Sequence, residues 1–111
     1  MKEYNVIITP DAEEELNGIY DYIATELLAP GIAYRYICDI RDQLTTLSYA
    51  PKRYQIVYDE PWKSIGVRRM NVHSFAVFYV ILEEYNEVYI QNIIYQKRDL
   101  PKILHELYHD L

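Results

Sequence analysis

Phe75-Ala76-Val77-Phe78-Tyr79-Val80-Ile81-Leu82 is apolar at every position, with β-branched and aromatic side chains prominent. Such a run predicts a strand covered on both faces, the middle of a sheet. Around it, Ile65 to Asp99 reads as three successive strands. Glu83, Glu84 and Asn86 supply the second turn, and Glu87 to Tyr95 returns antiparallel. Upstream the period changes. Tyr4 to Thr9 is a short strand, and Thr9-Pro10-Asp11 opens a helix with Thr9 as N-cap and Pro10 where a missing N–H costs nothing. Ala12, Leu16, Ile19, Tyr20, Ile23 and Leu27 recur at helical spacing, with Glu13, Glu14 and Asp21 on the opposite face.

Ala29-Pro30-Gly31 breaks the chain. A second stripe follows at Ala33, Tyr36, Ile37, Ile40, Leu44 and Leu47. So short a connection predicts an antiparallel helical hairpin. Residues 52 to 64 read as a polar, aromatic-rich loop, with a short strand at Gln55 to Tyr58. Leu100-Pro101 begins a C-terminal helix. The order β-α-α-β-β-β-α predicts an α+β fold, the hairpin packed on one face of a mostly antiparallel four-stranded sheet, in one domain over residues 1–111.

Composition narrows the class. Half of the 111 residues are apolar and thirteen are Tyr, the profile of a globular chain. No apolar run approaches the ~20 residues of a membrane helix, and the N-terminus lacks a signal-peptide pattern, so a soluble, cytoplasmic protein is expected. Cys38 is alone, and its place beside Ile37 and Ile40 reads as a half-buried core position. The net charge of −6 is uneven. Residues 1–30 hold Lys2 against seven acids, whereas Lys52 to Asn71 holds Lys52, Arg53, Lys63, Arg68 and Arg69 against Asp59 and Glu60. A modest basic region thus lies on an acidic protein, with little excess charge for neutralising phosphates.

His105-Glu106-Leu107-Tyr108-His109 matches the zinc-protease pattern H-E-x-x-H on a predicted helix. With no third ligand after it and too little protein around it for a cleft, it reads as surface helix, and no metal or cofactor is expected. Arg68-Arg69 is the more informative pair. Neighbours on a strand face opposite ways, so one guanidinium lies against the helices and the other in the open. They could clamp a phosphate or carboxylate, or form salt bridges with helix acids such as Glu13 or Asp39. His73, Tyr79 and Tyr95 are the nearby acid–base candidates. The alternatives are a turn histidine and core tyrosines.

Taken in order, Ile-Thr-Pro-Asp-Ala-Glu-Glu-Glu-Leu (8–16), Ile19-Tyr20-Asp21-Tyr22-Ile23, Pro51-Lys52-Arg53-Tyr54, Gly66-Val67-Arg68-Arg69-Met70, Val77-Phe78-Tyr79-Val80 and Ile93-Ile94-Tyr95-Gln96-Lys97-Arg98-Asp99 resemble the RelE/ParE superfamily of bacterial toxins. The resemblance covers nearly the whole chain. It implies the toxin of a type II toxin–antitoxin module of the plasmid-stabilisation kind, neutralised by a cognate antitoxin that folds around it. The assembly would be a homodimer or a toxin–antitoxin hetero-oligomer. Some members of the superfamily cut messenger RNA on the ribosome and others poison DNA gyrase. Members that cut RNA usually carry an Arg three residues before the central-strand Tyr, where this chain has Ala76. A His or basic residue often stands near the end of the last strand, where this chain has Tyr95. The gyrase-directed activity is therefore expected. The alternatives are an mRNA interferase using Arg69, Arg68 and Arg98 as clamps with Tyr95 or His73 carrying protons, and a degenerate toxin that only binds its antitoxin.

Overall fold

The computed structural model describes residues 3–95. The expected C-terminal helix with its H-E-x-x-H pattern, and Arg98, lie outside them. Strand β1 (Asn5–Ile8) leads into helix α1 (Pro10–Asp21), a π-helical turn (Tyr22–Glu26) and helix α2 (Pro30–Thr46). A segment with a short helix α3 (Trp62–Ile65) precedes strands β2 (Arg68–Val72), β3 (Phe75–Leu82) and β4 (Glu87–Tyr95). The sheet runs β1-β4-β3-β2, parallel between β1 and β4 and antiparallel elsewhere. This is the α+β architecture expected. Among the described residues no helix is long and apolar enough to cross a membrane.

Local chemistry explains the boundaries. The Thr9 hydroxyl accepts from the Ala12 N–H at 3.2 Å, capping α1, and donates to the Ile90 carbonyl at 2.8 Å, tying that helix to β4. Ala12, Leu16 and Ile19 of α1 and Ile32, Ala33, Tyr36, Ile40 and Leu44 of α2 are buried. They face Met70, Val72, Phe75, Val77, Tyr79, Val88, Ile90 and Ile93 of the sheet. Glu13 near the start of α1 pairs with Arg41 near the end of α2 at 2.5 Å, the contact an antiparallel hairpin brings together. Cys38 is half-buried, as expected.

Four features depart from the sequence reading. The first helix does not run evenly to Leu27. Its last turn widens to π geometry, with the Leu27 N–H reaching the Tyr22 carbonyl, so that Ile23 stays fully buried and Tyr22 meets Tyr95. Tyr20, placed in the buried stripe, is instead 37% exposed. The first strand of the trio starts at Arg68 and not at Ile65. Trp62–Ile65 makes a helical turn that Gly66 ends at φ 85, a conformation suited to glycine. Gln55 to Tyr58 forms only an isolated bridge, Ile56 opposite Arg68, flanked by bonds from the Val57 N–H to Val67 and from the Arg69 N–H to Gln55.

The expected two-sided cover of β3 holds only in part. The helices pack on the side of Phe75, Val77, Tyr79 and Ile81. On the other side Ala76 and Val80 are buried, but Phe78 is only half-buried. The segment from Pro51 to Trp62 is a strap that starts on the helix side, passes the β2 edge at Ile56 and lines the second face on its way to Trp62. Two side chains anchor it. The Tyr79 hydroxyl donates to the Pro51 carbonyl at 2.6 Å, and Arg68 Nη1 donates to the carbonyls of Lys52 (3.2 Å) and Tyr54 (2.6 Å). Burial pushes the Tyr79 phenol up to about 12, while the neighbouring Arg68 guanidinium pulls the other way.

The sheet carries one irregularity. Phe78 pairs with Asn92 but Tyr79 pairs with Ile90, so Gln91 is an extra residue on β4. Glu15 of α1 stands over this bulge. Its Oε1 accepts from Asn92 Nδ2 and from the Ile93 N–H, each at 3.1 Å.

Two outcomes follow from these contacts. Glu15→Ala leaves two donors beside the bulge without their charged acceptor and should lower unfolding free energy by ~1–3 kcal/mol, read from urea denaturation. Tyr79 keeps its proton in the folded state to a higher pH than in the unfolded chain. Its contribution is fully present below pH ~10 and is lost as pH rises toward 12. Alkaline titration of tyrosinate absorbance should therefore show one late-ionising group that Tyr79→Phe removes.

Candidate functional site

The open face of the sheet and the strap enclose a groove of ≈ 920 Å³. Its floor carries Arg69 and Asn71 of β2, Phe78 of β3 and Ile94 of β4. Its wall carries Ile56, Val57, Tyr58 and Trp62. Strand alternation produces the floor, because Arg69 and Asn71 point away from Met70 and Val72, which are buried among the core residues. At the bulge Gln91 and Asn92 also line it, the Asn92 amide nitrogen being tied back to Glu15 of α1.

Arg69 is the chemical centre of this surface. Its Nε donates to Asn71 Oδ1 at 2.9 Å, and its guanidinium carbon lies 5.7 Å from the centroid of the Phe78 ring. The two Nη groups have no hydrogen-bond partner among the described residues. Anchored at Nε and resting on an aromatic face, the fork is oriented before any ligand arrives, and it suits a carboxylate or a phosphate. Arg53 lines the rim, but its guanidinium is occupied. Nη2 donates to Thr46 Oγ1 at 2.5 Å and Nη1 approaches the carbonyls of Thr46 and Ala50. Lys63 sits 5.9 Å from the centroid of the Tyr58 ring.

The other sequence candidates lie elsewhere. Arg68 faces the strap backbone and forms neither of the salt bridges considered for it. Glu13 is taken by Arg41, and Asp39 by His73. His73 occupies the β2–β3 turn at φ 52, its Nε2 2.6 Å from Asp39 Oδ2 and its ring stacked on Tyr36 at 4.2 Å. These two contacts to α2 hold a left-handed residue in place. Tyr95 packs on the helix side against Phe75 and Tyr22, with ring centroids 5.2 and 5.9 Å away. Arg69 alone of the described candidates enters the groove, and the hydroxyls and carboxylate there belong to Tyr54, Tyr58 and Asp59. Asn71 and Phe78 were legible as groove residues from strand parity with Arg69. Gln91 and Asn92 were not, because their placement depends on the bulge.

The relationships of the chain agree with this architecture. A family described as the ParE toxin of the type II toxin–antitoxin system, parDE, matches residues 6–100. A chain from the chromosomal ParDE system of P. aeruginosa superposes with a TM-score of 0.70 at 22% identity, over 86% of this chain and 99% of that one. A chain from the RelBE2 toxin–antitoxin complex of Mycobacterium tuberculosis superposes with a TM-score of 0.59 at 18% identity, over 86% and 94%. No curated protein matches in sequence. At these identities the two structures establish a common fold and no more, whereas the family match spans nearly all of the described chain. The chain belongs to the ParE toxin family of type II toxin–antitoxin systems.

Proposed function

We propose that this chain arrests bacterial growth by direct contact with an essential cytoplasmic protein, DNA gyrase, and that a cognate antitoxin neutralises it by binding in a hetero-oligomer. The whole chain acts as one domain. The observation that carries this reading is the make-up of the groove. RNA cleavage needs the 2′-hydroxyl deprotonated, the leaving oxygen protonated and the phosphorane charge held. The groove offers one open guanidinium, Arg69, while His73 and Tyr95 face the helix layer, where an RNA strand on the sheet would not meet them. Ala76, where the RNA-cutting members usually carry Arg, is buried and brings no charge. A net charge of −6 further opposes approach to ribosomal RNA.

One observation favours the second reading, a ribosome-dependent mRNA interferase. The Arg69 fork lies open on the sheet face and is as suited to a scissile phosphate as to a carboxylate.

Expression of the chain alone should stop growth, and co-expression of the small protein encoded beside it should restore growth. Purified chain should inhibit gyrase supercoiling while mRNA ends at ribosomal A sites stay unchanged. Cleaved A-site mRNA with normal supercoiling would replace this reading by the interferase, and growth without any defect would leave a binding protein only.

A further inference from the structure

We infer that the outer face of the helical hairpin, near the connection between its two helices, is the surface by which the chain engages its target protein, and that the target meets it with Lys or Arg side chains set around an apolar recess. The inference deepens the toxin reading and rests on it only for the partner's identity, DNA gyrase.

Exposed apolar side chains gather at this end of the hairpin. The Glu13–Arg41 pair sets the level of one helix against the other. Tyr20 lies seven residues after Glu13 and Tyr34 seven before Arg41, so the antiparallel helices carry the two tyrosines at the same height. Tyr20 is 37% exposed and Tyr34 67%. Leu28, in the connection, is 83% exposed and sits at φ 53. A left-handed backbone suits Gly or Asn, and a leucine this exposed gains little burial to offset the strain. Gly18 adds a second oddity. It weakens the middle of α1, yet a Cβ at this position would meet nothing within 4 Å, so packing inside the chain does not require it. Departures from local preference that the fold does not use point to a role outside it.

Charge names the occupant. Glu14 and Asp21 are exposed two turns apart on α1, with Gly18 between them, and the exposed Glu26 follows in the π-helical turn. Arg35 also stands at this end, its guanidinium carbon 6.0 Å from the centroid of the Tyr36 ring. Residues 1–30 as a whole hold seven acids against Lys2. Such a face repels a nucleic acid or an acidic segment and attracts a basic surface. A second copy fits poorly, because it sets the same acids opposite one another. Its bases are also largely engaged, Arg41 by Glu13, Lys52 by Glu83, Arg53 by Thr46 and Arg68 by the strap carbonyls. A target protein with basic side chains around a recess for Leu28 and the tyrosines satisfies both the charge and the apolar anchors.

Two variants of the full chain test the surface, Leu28→Gly and the double reversal Glu14→Lys with Asp21→Lys. Each is followed by growth on expression, binding to purified gyrase and thermal melting. Leu28→Gly relieves the left-handed backbone, so its melting temperature should hold or rise while gyrase binding weakens at least ~10-fold and growth arrest is lost. The double reversal should weaken binding as much, and wild-type binding should fall as salt rises. Variants that bind gyrase and arrest growth like the wild type overturn the inference and leave the toxin reading standing. Arrest without gyrase binding removes gyrase as the target; the surface then stands if both variants abolish arrest and falls if they do not. Self-association in sedimentation that the variants abolish, or displacement of gyrase by a synthetic peptide of residues 96–111, gives the face a different occupant and overturns the inference. Neither arrest nor binding overturns the inference and the reading together.

Discussion

Two adjacent arginines, Arg68 and Arg69, are divided between opposite faces of the sheet by the two-residue period of a β-strand, and the open face takes its form from that division. Arg68 turns to the helix side and there, with the Tyr79 hydroxyl, holds the start of the strap, Pro51, Lys52 and Tyr54, by its carbonyls, before the strap crosses the β2 edge to the open face. That anchorage adds to the bridge at Ile56, with its flanking Val57–Val67 and Arg69–Gln55 backbone bonds, in keeping the strap beside the sheet. Arg69 turns the other way and is left with an open fork on the floor that the strap encloses. One guanidinium builds the wall, and its neighbour is what the wall surrounds.

The bulge on β4 works on the same surface from the far side. An extra residue at Gln91 reverses strand parity, so Val88 and Ile90 before it and Ile93 after it all reach the core. Glu15 is the helix residue that secures this arrangement. It sits among acids that look like one solvated face, yet its carboxylate is directed at the bulge. A charge that composition assigns to the surface thus serves as a fixed acceptor between layers, and Asn92 is positioned by it at the groove's edge.

How far the sequence could be read follows the range of the interactions involved. The Thr9 cap, the Asn86 turn, both helix stripes and the apolar run of β3 depend on near neighbours and periodicity, and they were legible. Strand parity also separates Arg68 from Arg69 on the sequence alone. What could not be read depends on contacts far along the chain. His73 and Tyr95 look like acid–base groups beside the arginines in linear order, but Tyr36 with Asp39 and Phe75 with Tyr22 draw them into the helix side. The π turn at Tyr22–Glu26 is of the same kind. Its sequence is ordinary helix, and the widening is visible only in the company it gives Ile23 and Tyr22.

The distribution of charge adds a direction to this architecture. Glu13, Glu14 and Asp21 lie on the helix layer, and the free guanidinium lies on the opposite face of the sheet. Across a domain whose shortest extent is 23 Å, such charges are separated by more than the ~8 Å screening length at physiological salt. The helix acids Glu14 and Asp21 therefore act on an approaching molecule largely independently of Arg69. An acidic group is repelled at Glu14 and Asp21 and attracted at Arg69, so the two faces differ in what they favour. For this reason the acidic balance of the chain, which by itself describes only a net charge, gains a position once the fold sets Glu14 and Asp21 on the helix layer and Arg69 on the open face.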